Sequence, residues 1–267
     1  MPQTKMALAP KDVALQNTRR RRALILGGTG EARALAEILS AEPRVDAVLS
    51  LAGRTSAPRE QGLPTRVGGF GGVEGLMRYL VAERIDRVVD ATHPFAARIS
   101  ANARAACAAL GLPLLTLTRA PWRREAGDRW IEVADNAAAA AALGVDPRRV
   151  FLTIGRLGLG DFLIAPQHHY SIRTIEPPSA ADLPPDCELI VDRGPFTVES
   201  ELSLMRAARI DALVTKNSGG DQTYAKIAAA RALAIDVVVI APPAAGDARV
   251  VHDIESARDF LVGELRE

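Results

Sequence analysis

Residues 22–39 read RALILGGTGEARALAEIL, and this stretch decides the fold. Ala23–Leu26 is a short continuous apolar run, Gly27-Gly28-Thr29-Gly30 is a glycine turn, and Glu31–Leu39 carries helical spacing. An apolar run without alternation suits a strand buried on both faces, as in a parallel sheet covered by helices. Glycines let the backbone bend sharply and approach a diphosphate, and the helix behind them offers free N–H groups and a positive dipole end. Gly28 and Gly30 supply the first half of a GxGxxG pattern, but Arg33 stands at the third glycine position. A plain strand-to-helix turn stays open beside the dinucleotide reading, since other α/β folds also place glycines here.

The alternation continues outward from this turn. Val45–Leu51, Arg87–Asp90, Pro113–Leu117 and Trp130–Val133 read as strands, with helices over Gly72–Glu83 and Phe95–Leu110. A short helix follows in the Ala-rich run Ala137–Ala142. Val150–Ile154, His169–Ile175, Leu189–Asp192, Ala212–Thr215 and Val237–Ile240 are further strands. Thr197–Ala208, Thr223–Ala234 and Ile254–Leu265 are further helices. Such alternation predicts an α/β chain built on parallel sheets. The expected division is a tail over 1–21, a nucleotide-binding domain over 22–133 and a second α/β domain over 134–267.

Composition excludes several classes. With 267 residues, 48% of them hydrophobic, the chain can bury a substantial core. No apolar run reaches the ~18–20 residues of a membrane-spanning helix, and no membrane partner is expected. A net charge of +1 gives no case for nucleic acid. Cys107 and Cys187 lack CxxC spacing and read as small buried hydrophobes in a reducing cytoplasm. The adjacent His168 and His169 point to opposite faces of a strand and read as surface or packing residues. No other cluster has metal-ligand spacing, so no metal is expected. The tail has no signal-peptide pattern, and Arg19–Arg22 reads as its solvated end. Nearly all basic residues are Arg, which with the many Ala residues reflects base composition. Against that background Lys216 and Lys226, beside one Gly-rich segment, stand out.

In open parallel sheets ligands bind beyond the carboxyl ends of the strands, and several polar clusters fall there. The second strand ends in Gly53-Arg54-Thr55 with no acidic residue to bind ribose hydroxyls, so Arg54 and Thr55 suit a 2′-phosphate and favour NADP over NAD. The next ends in Asp90-Ala91-Thr92-His93-Pro94-Phe95. His93 is read as a ligand contact or acid, and Thr92 as a cap or a ligand contact. In the second half, Gly155-Arg156, Asp192-Arg193-Gly194-Pro195-Phe196 and Lys216-Asn217-Ser218-Gly219-Gly220 each follow a strand. The last is read as a donor-rich pocket suited to anions. Tyr224 and Lys226 stand two apart and cannot form a helical Tyr–Lys pair.

Taken in order, these motifs resemble the precorrin-6A reductase family of corrin biosynthesis. The matching stretches are ILGGTGEARALA (25–36), SLAGRT (50–55), DATHPFAA (90–97), FLTIGR (151–156), DRGPF (192–196) and VTKNSGG (214–220). The likeness begins near Arg22, and DATHPFA and VTKNSGG are its most specific parts. It implies two Rossmann-like parallel-sheet domains with the active site in the cleft between them. It implies reduction of one macrocycle double bond, precorrin-6A to precorrin-6B, with NADPH giving the hydride. On that reading Gly27, Gly28, Thr29, Gly30, Glu31, Gly53, Arg54, Thr55, Thr92, His93, Pro94 and Phe95 face the cofactor. Arg98, Gly155, Arg156, Arg193, Gly194, Pro195, Phe196, Lys216, Asn217, Ser218, Gly219 and Gly220 face a tetrapyrrole rich in carboxylates, for which arginine is the natural bidentate partner. His93 and Lys216 are the candidate acids, the location is cytoplasmic, and neighbouring corrin-pathway enzymes are candidate partners. Read without the likeness, the residues support a nucleotide-binding α/β protein. An NADPH-binding sensor and an S-adenosylmethionine methyltransferase then stay open, although the methyltransferase gives no reason for Arg54.

Overall fold

The computed structural model describes residues 20–53, 62–244 and 246–263. The first run of elements is β1 (Arg21–Leu26), α1 (Gly30–Ser40), β2 (Val45–Leu51), β3 (Thr65–Val67), α2 (Val73–Ala82), β4 (Arg87–Asp90), α3 (Ala97–Leu110) and β5 (Leu114–Leu117). Then come β6 (Trp130–Val133), α4 (Asn136–Ala142), β7 (Arg149–Thr153), β8 (His169–Thr174), β9 (Cys187–Val191), α5 (Val198–Ala207), β10 (Ala212–Lys216), α6 (Ala225–Ala232) and β11 (Asp236–Ile240). β12 (Arg249–Val251) and α7 (Ile254–Val262) complete the described chain.

The strands form two six-stranded sheets, β12-β5-β4-β1-β2-β3 and β6-β11-β10-β7-β8-β9. Their neighbours pair in parallel, as the continuous apolar runs predict. Counted from β1, the first sheet runs 3-2-1-4-5-6, the order of dinucleotide-binding sheets. Counted from β7, the second sheet has the same order, with β6 in the sixth place.

The sixth places are exchanged. After β5 the chain crosses to lay β6 beside β11, pairing Trp130 with Val237. After β11 it crosses back to lay β12 beside β5, pairing Arg249 with Leu115. A single cut near residue 133 therefore does not separate the two units. Trp130–Val133 belongs to the second sheet, and the segment from β12 through α7 returns to the first. The physical reason is burial: Ala257, Phe260 and Leu261 of α7 pack with Leu35 and Leu39 of α1 over the first sheet.

The period of two along a strand explains why β1 is apolar throughout. Ala23 and Ile25 face the α1–α7 layer, while Leu24 and Leu26 face α2 and α3. All four are at most 1% exposed, and burying each Leu or Ile contributes about 2 kcal/mol. β3 and β12 were not expected; each is three residues long, at a sheet edge and only partly buried or exposed. The helix expected from Phe95 begins at Ala97, because His93–Ala96 close a turn in which the Ala96 N–H donates to the His93 carbonyl at 2.7 Å. The helix expected from Thr223 is likewise preceded by a 3-10 turn over Asp221–Thr223. Among the described residues no helix is long and apolar enough to cross a membrane.

Candidate active site

The carboxyl ends of both sheets meet at one place. On the first, Gly27 lies so close to β2 that a Cβ would come within 2.6 Å of Leu49 Cδ1, and Gly28 has φ +124°, a region that favours glycine. Thr29 caps α1: its Oγ1 accepts from the Ala32 N–H at 3.1 Å and donates to the Ala91 carbonyl at 2.8 Å. That second bond ties the glycine turn to the loop after β4. Gly30 faces Gln222 of the second unit, whose Nε2 would lie 3.3 Å from a Cβ there.

The loop after β4 is internally fixed. Asp90, buried, accepts from the Thr92 N–H at 3.1 Å and hydroxyl at 2.6 Å, so Thr92 serves chiefly to hold the strand end. His93 Nδ1 accepts from the Phe95 N–H at 3.2 Å, which puts the proton of the neutral ring on Nε2. His93 is exposed to solvent at the mouth of the cleft, yet many protein atoms surround it. Burial and then the cations Arg119 and Lys216 push the His93 imidazole down to about 4. Phe95 crosses the cleft to pack on the apolar core of the second sheet.

Lys216 meets this loop from the other side. Its Nζ donates to the Ile154 carbonyl at 2.9 Å and lies 5.3 Å from the Phe95 ring centroid. Burial lowers its pKa. The rest of the KNSGG motif, read from sequence as an anion pocket, packs on the segment that crosses between the units. Asn217 is buried, and its Oδ1 accepts from the Trp122 N–H at 2.8 Å while its Nδ2 donates to the Trp122 carbonyl at 3.0 Å. Trp122 Nε1 donates to the Gly220 carbonyl at 2.7 Å. A Cβ on Gly219 would run into the Ala120 carbonyl, and one on Gly220 would meet Arg119 Cδ at 2.5 Å. Asn217, Gly219 and Gly220 thus seat the segment that crosses between the units. The buried Ser218 lies 3.5 Å from the Thr223 hydroxyl.

The crest of the second sheet carries arginines. Arg156 follows Gly155 (φ +77°) after β7 and pairs with Glu176 at 3.0 Å. Arg193, Gly194 and Pro195 are exposed after β9, and Phe196 stacks on the guanidinium of buried Arg173 at 3.7 Å. Arg173 in turn donates to Glu201 at 2.7 Å. Exposed Leu157, Ile175 and Val191 lie beside these arginines in the chain. Arg98 is exposed on the first turn of α3. Gly53 has φ +71° after β2, whereas Arg54 and Thr55 lie outside the described residues. Arg66, which the sequence did not single out, brings a guanidinium to the end of β2, where it donates to Ser50 Oγ and the Gly68 carbonyl, both at 2.9 Å.

Reading the sequence also missed Arg119. Its guanidinium grips the Glu31 carboxylate with two bonds of 2.7 and 3.0 Å, from the crossing segment to the first turn of α1. The one signal available was a strand end running Thr118-Arg119-Ala120-Pro121-Trp122, an arginine and a tryptophan within a linker. Among the described residues no group of three or more His, Cys, Asp or Glu is placed to hold a metal.

Comparison with known proteins agrees with this architecture. The family described as Precorrin-6x reductase CbiJ/CobK matches residues 22–262. The chain belongs to that family. Among Precorrin-6A reductases, the chain is 50% identical to that of Rhodobacter capsulatus over 240 residues, covering 90% of this chain and 95% of the relative. It is also 50% identical to that of Mycobacterium tuberculosis (strain ATCC 25618 / H37Rv) over 222 residues, covering 83% and 89%. The solved structure of a CobK precorrin-6A reductase superposes with a TM-score of 0.84 at 50% identity, covering 91% of this chain and 96% of that one. Both crests of this precorrin-6x reductase family member lie inside the matched span, and the first 21 residues lie outside it.

Proposed function

We propose that the chain reduces one double bond of precorrin-6A to give precorrin-6B in cobalamin biosynthesis, with NADPH as the reductant. The observation that carries this reading is an asymmetry between two sheets of the same strand order. After β1 the glycine turn leads into an eleven-residue helix capped by Thr29. After β7 the glycine turn leads only into a 3-10 segment, Leu159–Ile164. A helix N-terminus presents aligned N–H groups and a positive dipole end to a diphosphate, which one short 3-10 segment does not match. The first crest therefore suits the dinucleotide. The second, with Arg156, Arg193 and exposed apolar side chains, suits a flat macrocycle rimmed by carboxylates.

NADPH would supply the hydride, and the chain's residues supply position and field. Gly27, Gly28, Thr29 and Gly30 would hold the diphosphate, with Gly53 toward the adenosine end. Pro94 and Phe95 would wall the cleft. His93, neutral near pH 7, would donate from Nε2 to a bound ligand, and Lys216 would offer a positive charge beneath it. Either group can protonate the carbon next to the one receiving hydride once substrate carboxylates raise the His93 pKa. The two free cysteines, Cys107 and Cys187, are in keeping with a cytoplasmic enzyme.

The test is anaerobic absorbance at the NADPH band with precorrin-6A added and NADH as control. Loss of NADPH that requires the macrocycle, with a matching change in its visible spectrum, is the expected result. Binding without oxidation would turn the reading toward a sensor.

A further inference from the structure

Arg119 is fixed to the second unit but reaches into the first. The segment that carries it is bonded to the second sheet through Trp122 and Asn217. Farther along, Asp128 is held by Arg231 at 2.8 Å, and Glu125 accepts from the Tyr224 hydroxyl. From this anchored segment the guanidinium extends to Glu31, in the first turn of α1. Side-chain exposures of 13% for Arg119 and 23% for Glu31 place the pair well inside the cleft. The Glu31 carboxylate is an acidic group in the first turn of α1, at its positive end. Burial works to raise its pKa, yet the bonds from Arg119 and from its own backbone N–H hold it below the usual range. An anion thus already occupies the head of α1, and it belongs to the chain itself.

We propose that Glu31 is an internal placeholder for the diphosphate of the dinucleotide, and that Arg119 is the cationic ligand that passes from the carboxylate to the diphosphate when the cofactor binds. Glu31, read from sequence as a cofactor contact, is then the group the cofactor displaces. Arg119 becomes a contact contributed to the first unit's cofactor by the second unit. Because the Arg119 side chain packs on Gly220, the exchange links the dinucleotide to the loop that bears Lys216. The inference rests on the dinucleotide reading given above.

Titration of the full chain with NADPH and with NADH, by calorimetry, tests it through three variants. A partly screened ion pair competing with the ligand predicts that Glu31→Gln binds ~fivefold more tightly than wild type. Arg119→Gln binds at least ~tenfold more weakly, as expected for loss of a charge-assisted contact. The double variant separates ligation from mere neutralisation of Glu31: it must bind about tenfold more weakly than Glu31→Gln alone. If the double variant binds as tightly as Glu31→Gln, Arg119 only neutralises the carboxylate and the proposal fails. Weaker binding by Glu31→Gln, matching Arg119→Gln, makes the pair a strut and also overturns it. Wild type that binds neither dinucleotide overturns both this inference and the reading beneath it.

Discussion

Asn217→Ala separates a structural role from a substrate role in the KNSGG motif. The side chain is 8% exposed and makes two bonds to the backbone of one residue, at 2.8 and 3.0 Å. It thereby acts as a short stretch of strand for the crossing segment. Truncation removes both bonds and leaves the Trp122 N–H and carbonyl buried without partners. A buried hydrogen bond contributes about 1 kcal/mol net, and an orphaned backbone group costs about 1–3 kcal/mol, so the expected loss is ~3 kcal/mol. With a urea m-value of ~3 kcal/mol per molar, the unfolding midpoint falls by ~1 M. The chain has only two tryptophans, Trp122 and Trp130, so fluorescence reports the affected segment directly. Asn217→Asp keeps an acceptor for the Trp122 N–H but turns an oxyanion toward the Trp122 carbonyl, and should be at least as damaging. A wild-type urea midpoint in Asn217→Ala, with only a raised KM for the macrocycle, would refute the argument and restore Asn217 as a substrate ligand.

Lys226 is 5% exposed, and burial, then Arg173, lower its pKa to about 7 from 10.5. Between those values the unfolded chain binds a proton that the folded chain does not, so urea-measured stability rises with pH there, by at most about 1.4 kcal/mol per pH unit; Lys226→Met removes this slope. NMR titration of free enzyme should show His93 titrating near 4, with an upward move of ~1 unit or more when a polycarboxylate macrocycle binds. An unmoved His93 would remove it as a proton donor. Arg156→Ala and Arg193→Ala should each raise the macrocycle KM about tenfold with little change in kcat, as lost carboxylate contacts do in steady-state assays. A chain ending at Pro243 loses the buried Phe260 and Leu261, a loss of ~4 kcal/mol from the first unit. Hydrogen exchange should then show β1 and β2 unprotected while β7 and β10 stay protected.

The elements were legible where burial on both faces left an unbroken apolar run. β1, β4, β7, β10 and β11 announce themselves in this way, and β2 nearly so, broken by Asp46 and Ser50. β3 and β12 do not, because an edge strand of three residues such as Thr65-Arg66-Val67 needs little apolar content. The loops at the strand ends were legible too, since position after a strand and residue type are both local. Partnership was not. The glycines at 219 and 220 read as an anion cradle because their neighbours are Lys, Asn and Ser. What presses on them is the Ala120 carbonyl at Gly219 and the Arg119 side chain at Gly220, about a hundred positions earlier in the chain. The sheet membership of β6 and β12 fails to show in sequence for the same reason, because each follows a strand of one unit and pairs in the other.

The reciprocal exchange bears on how the cleft works. In a chain of two simple tandem units, a single linker would join them and the facing crests would be free to separate. Here each unit lacks its sixth strand until the other unit's chain supplies it, so two crossings join them. The first crossing is anchored to the second unit at Trp122 and Asp128 and touches the first unit at Glu31. Phe95 reaches back the other way into the second core. These opposed insertions fix the relative position of His93 and Lys216, which come from different sheets. Hydride transfer depends on such positioning, because the donor and acceptor carbons must be brought to near contact and a misplacement of about 1 Å is costly. On the function proposed above, reduction of a large macrocycle gains its geometry from the crossings, and the glycines and the asparagine of the KNSGG motif serve it by letting the first crossing pass.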